Sequence, residues 1–145
     1  MKRDVYQRLL EWKSSKRRKP LLLRGVRQVG KTYILQQFGS KEYDNVSYFN
    51  FEENTALDDF FQQKLDPGTI IANLSLYLGR EIRPASDLII FDEIQASNYA
   101  LNALKYFCEQ ASEYHIAAAG SLIGITLSRP GSFPVGKVNF WICIH

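Results

Sequence analysis

Hydrophobic and polar positions fall in blocks along this chain, and their period changes from one block to the next. In "DVYQRLLEW" the apolar Val5, Leu9 and Trp12, with Leu10 beside them, lie near one stripe at helical spacing and predict an N-terminal amphipathic helix. Pro20 then introduces "LLLRG", an apolar run bounded by breakers, which predicts a short buried strand. A glycine-bearing loop follows, and "KTYILQQF" predicts a helix closed by Gly39. In "NVSYFNFEE", Val46, Tyr48 and Asn50 alternate with Ser47, Phe49 and Phe51, and the β-branched and aromatic content predicts a second strand.

From Ala56 to Gly79 the pattern turns helical, as "ALDDFFQQKL", a break at Asp66-Pro67-Gly68, and "TIIANLSLYL". "PASD" is turn chemistry, and "LIIFDE" is a four-residue apolar run ending in two acids, as expected of a parallel, buried strand. "NYALNALKYFCEQASEY" carries Leu101, Leu104 and Phe107 at helical spacing with Cys108 beside them. "HIAAAGS" reads as a small-residue strand, "LIGITLSR" as a short helix, "PGSFPVGK" as turns and "VNFWICI" as a last strand. Strands alternating with helices predict an α/β fold, a parallel sheet flanked by helices. An additional strand falls in sequence between the strand before the glycine loop and the one ending in acids. No internal repeat or low-complexity tract interrupts the pattern.

Composition narrows this picture a little. At 145 residues, with 46% hydrophobic and 23% charged positions, the chain suits one globular domain. Its longest apolar runs are far too short to span a bilayer, and the N-terminus lacks the apolar block of a signal peptide. Cys108 and Cys143 form neither a disulfide framework nor a metal spacing, so two reduced thiols in a cytoplasmic setting are expected. The net charge of +3 is mild but uneven, because Lys13, Lys16, Arg17, Arg18 and Lys19 crowd into "KSSKRRKP". That segment is either a grip for nucleic-acid phosphates or a solvated loop, and without interleaved aromatics it offers no base stacking. The aromatic group Tyr48, Phe49, Phe51, Phe60 and Phe61 reads as core and sheet packing, and His115 as a boundary residue at a strand start.

Candidate chemistry concentrates at three strand ends, where a parallel sheet presents its ligands. The first is "GVRQVGKT". Gly25 and Gly30 permit a backbone wrapped closely around phosphate, with Val26, Arg27, Gln28 and Val29 supplying main-chain amides between them. The helix that starts near Lys31 adds its positive dipole end. Lys31 would reach terminal phosphates and Thr32 would ligate Mg2+. A chance match to the four fixed positions in a chain of this length is on the order of a few in a thousand. The side chains of Arg27 and Gln28 are read as facing outward to a neighbouring element. The second end is "LIIFDE", where Asp92 would hold the metal through one carboxylate and Glu93, on the other side of the strand end, would polarise water. The third is Gly120-Ser121, and all three ends should converge.

"GVRQVGKT", "LIIFDEIQ" and "AAAGS" resemble the Walker A, Walker B and sensor-1 segments of a P-loop ATPase of the AAA type. More narrowly they resemble a bacterial and archaeal family with Arg-Gln before the final Gly-Lys-Thr and Asp-Glu-Ile-Gln in Walker B, and "SFPVGKVNF" looks like its following segment. The resemblance runs from about Pro20 to Phe140. It implies a core over 20–145 behind an N-terminal helix and basic loop over 1–19. It also implies binding and hydrolysis of ATP with Mg2+, in which Lys31 and Thr32 hold phosphate and metal, Asp92 positions the metal, Glu93 activates water and Ser121 senses the γ-phosphate. Ser121 as an N-cap of the next helix is a compatible role.

Members of that family continue into a helical lid and a C-terminal domain, whereas this chain stops at "WICIH", so the resemblance implies a C-terminally truncated core. Arg129 and Lys137 are the cations considered for the missing arginine finger. Two alternatives stay open, a remnant that loads ATP without turning it over and a nucleic-acid-binding module built on residues 13–19. A GTPase lacks its Asn-Lys-x-Asp element here. By the same resemblance, ATP energy would act on another protein or on the absent domain.

Overall fold

The computed structural model describes residues 2–16, 18–25, 31–62, 66–121 and 139–143. Its elements, in chain order, are α1 (Lys2–Ser14), β1 (Leu21–Gly25), α2 (Lys31–Glu42) and β2 (Asn45–Asn50). A 3-10 turn (Thr55–Asp58) leads into the single-turn α3 (Asp59–Gln62), then α4 (Pro67–Leu78) and β3 (Asp87–Asp92). A second 3-10 turn (Ile94–Ala96), α5 (Asn98–Gln110), β4 (His115–Ser121) and β5 (Asn139–Cys143) complete the described chain. The five strands pair in the order β2-β3-β4-β1-β5, and every pair is parallel. The expected parallel sheet flanked by helices is therefore what forms. β2, the extra strand in sequence, takes an edge, while β4 is the strand that separates β1 from β3 in space.

Parallel strands joined by helical crossovers are covered on both faces, which is why "LLL" and "LIIF" are apolar at every position. Alternate residues feed two cores. Leu21, Leu23, Leu88, Ile90, Ala117 and Ala119 pack with Leu9 and Trp12 of α1 and Leu35 and Phe38 of α2. Leu22, Phe49, Ile89, Phe91, Ile116 and Ala118 pack on the opposite side with Ile70 and Leu74 of α4 and Leu101, Leu104 and Phe107 of α5. The central strand β4 carries alanines at 117 to 119, small enough to admit helices on both sides.

Local chemistry corrects several expected boundaries. Gly39 does not close α2, which continues to Glu42. A Cβ at Gly39 would lie 2.5 Å from Val46 Cγ2 and 3.0 Å from Leu88 Cδ2, so the glycine marks the close approach of helix to sheet rather than a helix stop. Asp66-Pro67-Gly68 opens α4 instead of merely breaking a helix. Asp66 is the N-cap, its carboxylate accepting from Thr69 N at 3.0 Å, and Pro67 takes the first turn, where a missing N–H costs nothing. Gly79 ends α4 at φ 79. Within "ALDDFFQQKL" the described residues form the 3-10 turn and α3, and Gln63, Lys64 and Leu65 lie outside the described residues. The predicted helix over "LIGITLSR" and the turns of "PGSFPVGK" lie outside the described residues.

At the edge of the sheet, Arg80 Nη2 donates to Val46 O and Ser47 Oγ at 3.0 Å each, and Nη1 pairs with the buried Asp87 at 3.3 Å. This guanidinium ties the end of α4 to the outer strand and occupies one of its exposed carbonyls. No described helix is long and apolar enough to cross a membrane.

Candidate functional site

Because all strands are parallel, their carboxyl ends share one edge. Gly25, the last residue of β1, pairs in register with Ser121 at the end of β4 and with Cys143 on β5. Phe91 of β3 pairs with Ala118 of β4, and Asn50 of β2 pairs with Asp92. The ends of β3, β4 and β1 are thus consecutive across the sheet, and two strand spacings, about 10 Å, separate the first from the last. The three predicted ends meet at one edge. α2 starts there too, with Lys31 and Thr32 as its first two residues. Val26, Arg27, Gln28, Val29 and Gly30 lie outside the described residues, as do Arg129 and Lys137.

Asp92 shares its face of β3 with Leu88 and Ile90, the face against which α2 packs. It is buried, at 6% exposure, and both of its oxygens have partners. Oδ2 accepts from Tyr48 Oη at 2.6 Å, and Oδ1 accepts from Glu93 N at 2.9 Å. Tyr48 Oη in turn accepts from Asn50 Nδ2 at 3.2 Å, while Asn50 Oδ1 takes the amides of Glu52 and Glu53 at 2.9 and 3.0 Å. The turn after β2 therefore holds Asn50, Asn50 bears on Tyr48, and Tyr48 fixes the plane of the Asp92 carboxylate. Burial, with the hydrogen bond to Asp92 second, pushes the Tyr48 phenol up to about 12, so it stays a donor. From the sequence alone, Tyr48 reads as a packing residue. The signal for its second role was the shared parity of Tyr48, Asn50, Ile90 and Asp92 on neighbouring parallel strands.

Glu93 does not continue the strand as expected. It lies at φ 52, ψ 46, a left-handed conformation that side chains other than glycine adopt at a cost. The twist turns the chain into the 3-10 segment, closed by Ala96 N on Glu93 O at 3.0 Å. Its carboxylate is buried, at 3% exposure, and accepts from Gln95 Nε2 at 2.7 Å. Ser97 then caps α5, its hydroxyl accepting from Ala100 N at 3.0 Å while donating to Asp58. Among the described residues no group of three or more His, Cys, Asp or Glu side chains forms a cage for a metal.

Two cations of the basic segment have partners inside the fold. Lys13 Nζ donates to Glu42 O, the last carbonyl of α2, at 2.7 Å, and lies 4.7 Å from the centre of the Tyr43 ring. Arg18 donates to Lys13 O and Ser112 O at 3.0 and 3.1 Å. Two of its cations are thus fasteners within the fold, whereas Lys16 is exposed. His115 is a buried boundary residue as expected, sharing a 2.6 Å hydrogen bond with Tyr43 Oη.

The fold is shared with two solved structures. The ORC1 protein of Aeropyrum pernix, solved in complex with DNA, superposes with a TM-score of 0.58 at 14% identity, over 99% of this chain and 43% of that one. RuvB of Thermotoga maritima superposes with a TM-score of 0.56 at 16% identity, over 99% of this chain and 44% of that one. The chain spans less than half the length of either structure. A comparison with curated protein sequences finds no match. The AAA domain family, however, matches residues 17–143. With that match over most of its length, the chain belongs to the AAA domain family.

Proposed function

We propose that this chain binds ATP with Mg2+ at the carboxyl edge of its sheet and hydrolyses it. The observation that carries the proposal is the meeting of the β1 end, the first turn of α2, the β4 end and the Asp92-Glu93 pair along one edge. The donor set fits the ion, since Mg2+ takes oxygen ligands and is commonly held by one or two carboxylates beside the phosphates of its substrate. Asp92 offers a carboxylate whose orientation two fixed donors set.

In this reading the amides from Gly25 to Gly30 wrap the phosphates and Lys31 neutralises the terminal ones. Thr32 and Asp92 would hold the metal, which when bound draws charge from the phosphate oxygens. Glu93 takes a proton from the attacking water as its oxygen bonds to the γ-phosphorus. The bond from that phosphorus to the bridging oxygen breaks, and ADP leaves with the electron pair. Ser121 contacts the γ-phosphate. Such a cytoplasmic ATPase would drive a protein partner or a further domain, with 20–145 as its core and 1–19 as an appended helix and basic loop.

Two variants test this. Lys31→Ala should abolish the rise in melting temperature that Mg-ATP gives the wild type. Glu93→Gln should keep that rise and lose phosphate release. Equal melting temperatures with and without Mg-ATP in the wild type would sink the proposal, and a rise without phosphate release would reduce it to ATP loading. The nucleic-acid reading is weaker, because Lys13 and Arg18 are already engaged inside the fold. It requires duplex or single-strand binding that weakens steeply with salt.

A further inference from the structure

Three unusual features fall within four residues after β3. Glu93 has a left-handed backbone, its carboxylate is buried, and the amide of Gln95 reaches back two positions to hold it. Gln95 offers its nitrogen to Glu93 Oε1 and turns its own carbonyl oxygen the other way. That oxygen, Oε1, is buried and has no hydrogen-bond partner among the described residues. A buried carbonyl without a donor destabilises a fold, and an apolar side chain of similar shape would avoid that cost. Among the described residues, the polar contact this side chain makes is the one from its nitrogen to Glu93.

We infer that Gln95 is a positioning residue for Glu93 in ATP hydrolysis. The inference rests on the reading above, in which Glu93 takes the proton of the attacking water. A glutamate has three side-chain torsions, and a carboxylate free to rotate would rarely face a water aligned with the γ-phosphorus. Burial restricts the first of these torsions. The 2.7 Å bond from Gln95 Nε2 to Oε1 restrains the last, which sets the plane of the carboxylate. The left-handed backbone at Glu93 supplies the other half of the device. It bends the chain so that residues 93 and 95, which would share one face of a straight strand, meet side chain to side chain in a 3-10 turn. Gln95 acts here without touching the substrate.

The test is a double-mutant cycle on single-turnover ATP hydrolysis by the full chain. Gln95→Met keeps the volume and removes the donor. It should lower the hydrolysis rate by about 10- to 100-fold, within the range that a positioned proton acceptor supplies. Affinity for a fluorescent ATP analogue should change by less than about twofold, as expected for an interaction made only on the way to the transition state. In the Glu93→Gln background the same substitution should have no further effect, because a positioning group has nothing left to position. A purely structural role would slow both backgrounds alike, and that result overturns the inference, as does a wild-type rate in Gln95→Met or a loss of nucleotide binding with the fold intact. Should Gln95→Met fail to fold, Gln95→Leu carries the same expectations. If Glu93→Gln itself hydrolyses at the wild-type rate, or the wild type does not hydrolyse ATP, the reading of Glu93 falls and takes the inference with it. If Glu93→Gln is inactive and Gln95→Met is not slowed, only the inference falls.

Discussion

The phenol of Tyr48 shows how much one side chain at a strand end can decide. It is half-buried, stays protonated across the neutral range, and donates to Asp92 while accepting from Asn50. In the proposed reading, where Asp92 would ligate the metal, Tyr48 is the group that orients it, and removing such partners commonly lowers metal affinity 10- to 100-fold. Tyr48→Phe keeps the ring in the α2-side core and deletes only the hydroxyl, so stability should fall by about 1 kcal/mol. The Mg2+ concentration needed for tight binding of a fluorescent ATP analogue should rise by about tenfold. An unchanged Mg2+ requirement in Tyr48→Phe would mean the phenol only packs. At this scale the sequence was half legible. The acids at 92 and 93 stand out in an apolar run, whereas Tyr48 and Gln95 become functional candidates only through partners that strand register and the turn after β3 bring to them.

Whole elements were more legible than their ends. Buried parallel strands announce themselves through unbroken apolar runs, and "LLL", "LIIF" and "IAAA" all became sheet because helices cover both faces. Ends depend on side-chain chemistry that composition describes poorly. Asp66-Pro67 serves equally well as a breaker or as a cap, and the difference lies in whether the Asp66 carboxylate finds the Thr69 amide. Gly39 is a similar case. Read as punctuation, it is instead a contact between α2 and the β2–β3 pair, so a methyl group there should do damage despite better helix propensity. Gly39→Ala gains about 1 kcal/mol from propensity. Against this, the new Cβ meets Val46 and Leu88, and overpacking of this kind costs about 1–3 kcal/mol. The expected net result is a lower urea midpoint with an unchanged slope. A higher midpoint would show that Val46 turns aside freely and that propensity governs the site.

Across the whole molecule, the edge opposite the candidate site is where α1, the end of α2 and the start of β4 are joined. His115 sits at the centre of that junction. It shares a hydrogen bond with Tyr43 at 2.6 Å and packs edge-on against Trp12, whose Nε1 donates to Lys19 O at 2.6 Å. Burial, with Arg18 and then Lys13 adding repulsion, lowers its pKa from 6.5 to about 4. Above pH 6.5 the imidazole is neutral in both folded and unfolded chains and contributes no pH dependence. Between 6.5 and about 4 the unfolded chain takes up a proton that the folded chain refuses, so stability must fall as the pH falls. Below about 4 both states are protonated and this contribution levels off. The full effect is about 3 kcal/mol, a large share of a small domain's stability. Carboxylates titrate in the lower part of the same window, so the comparison must be with a variant that cannot titrate at position 115. His115→Gln retains an acceptor for Tyr43. Urea unfolding at pH 7, 5.5 and 4.5 should show the wild type losing stability faster than His115→Gln, with the gap opening below pH 6.5. Parallel curves would mean that the imidazole reaches water when charged, and that the basic residues around it do not close the junction.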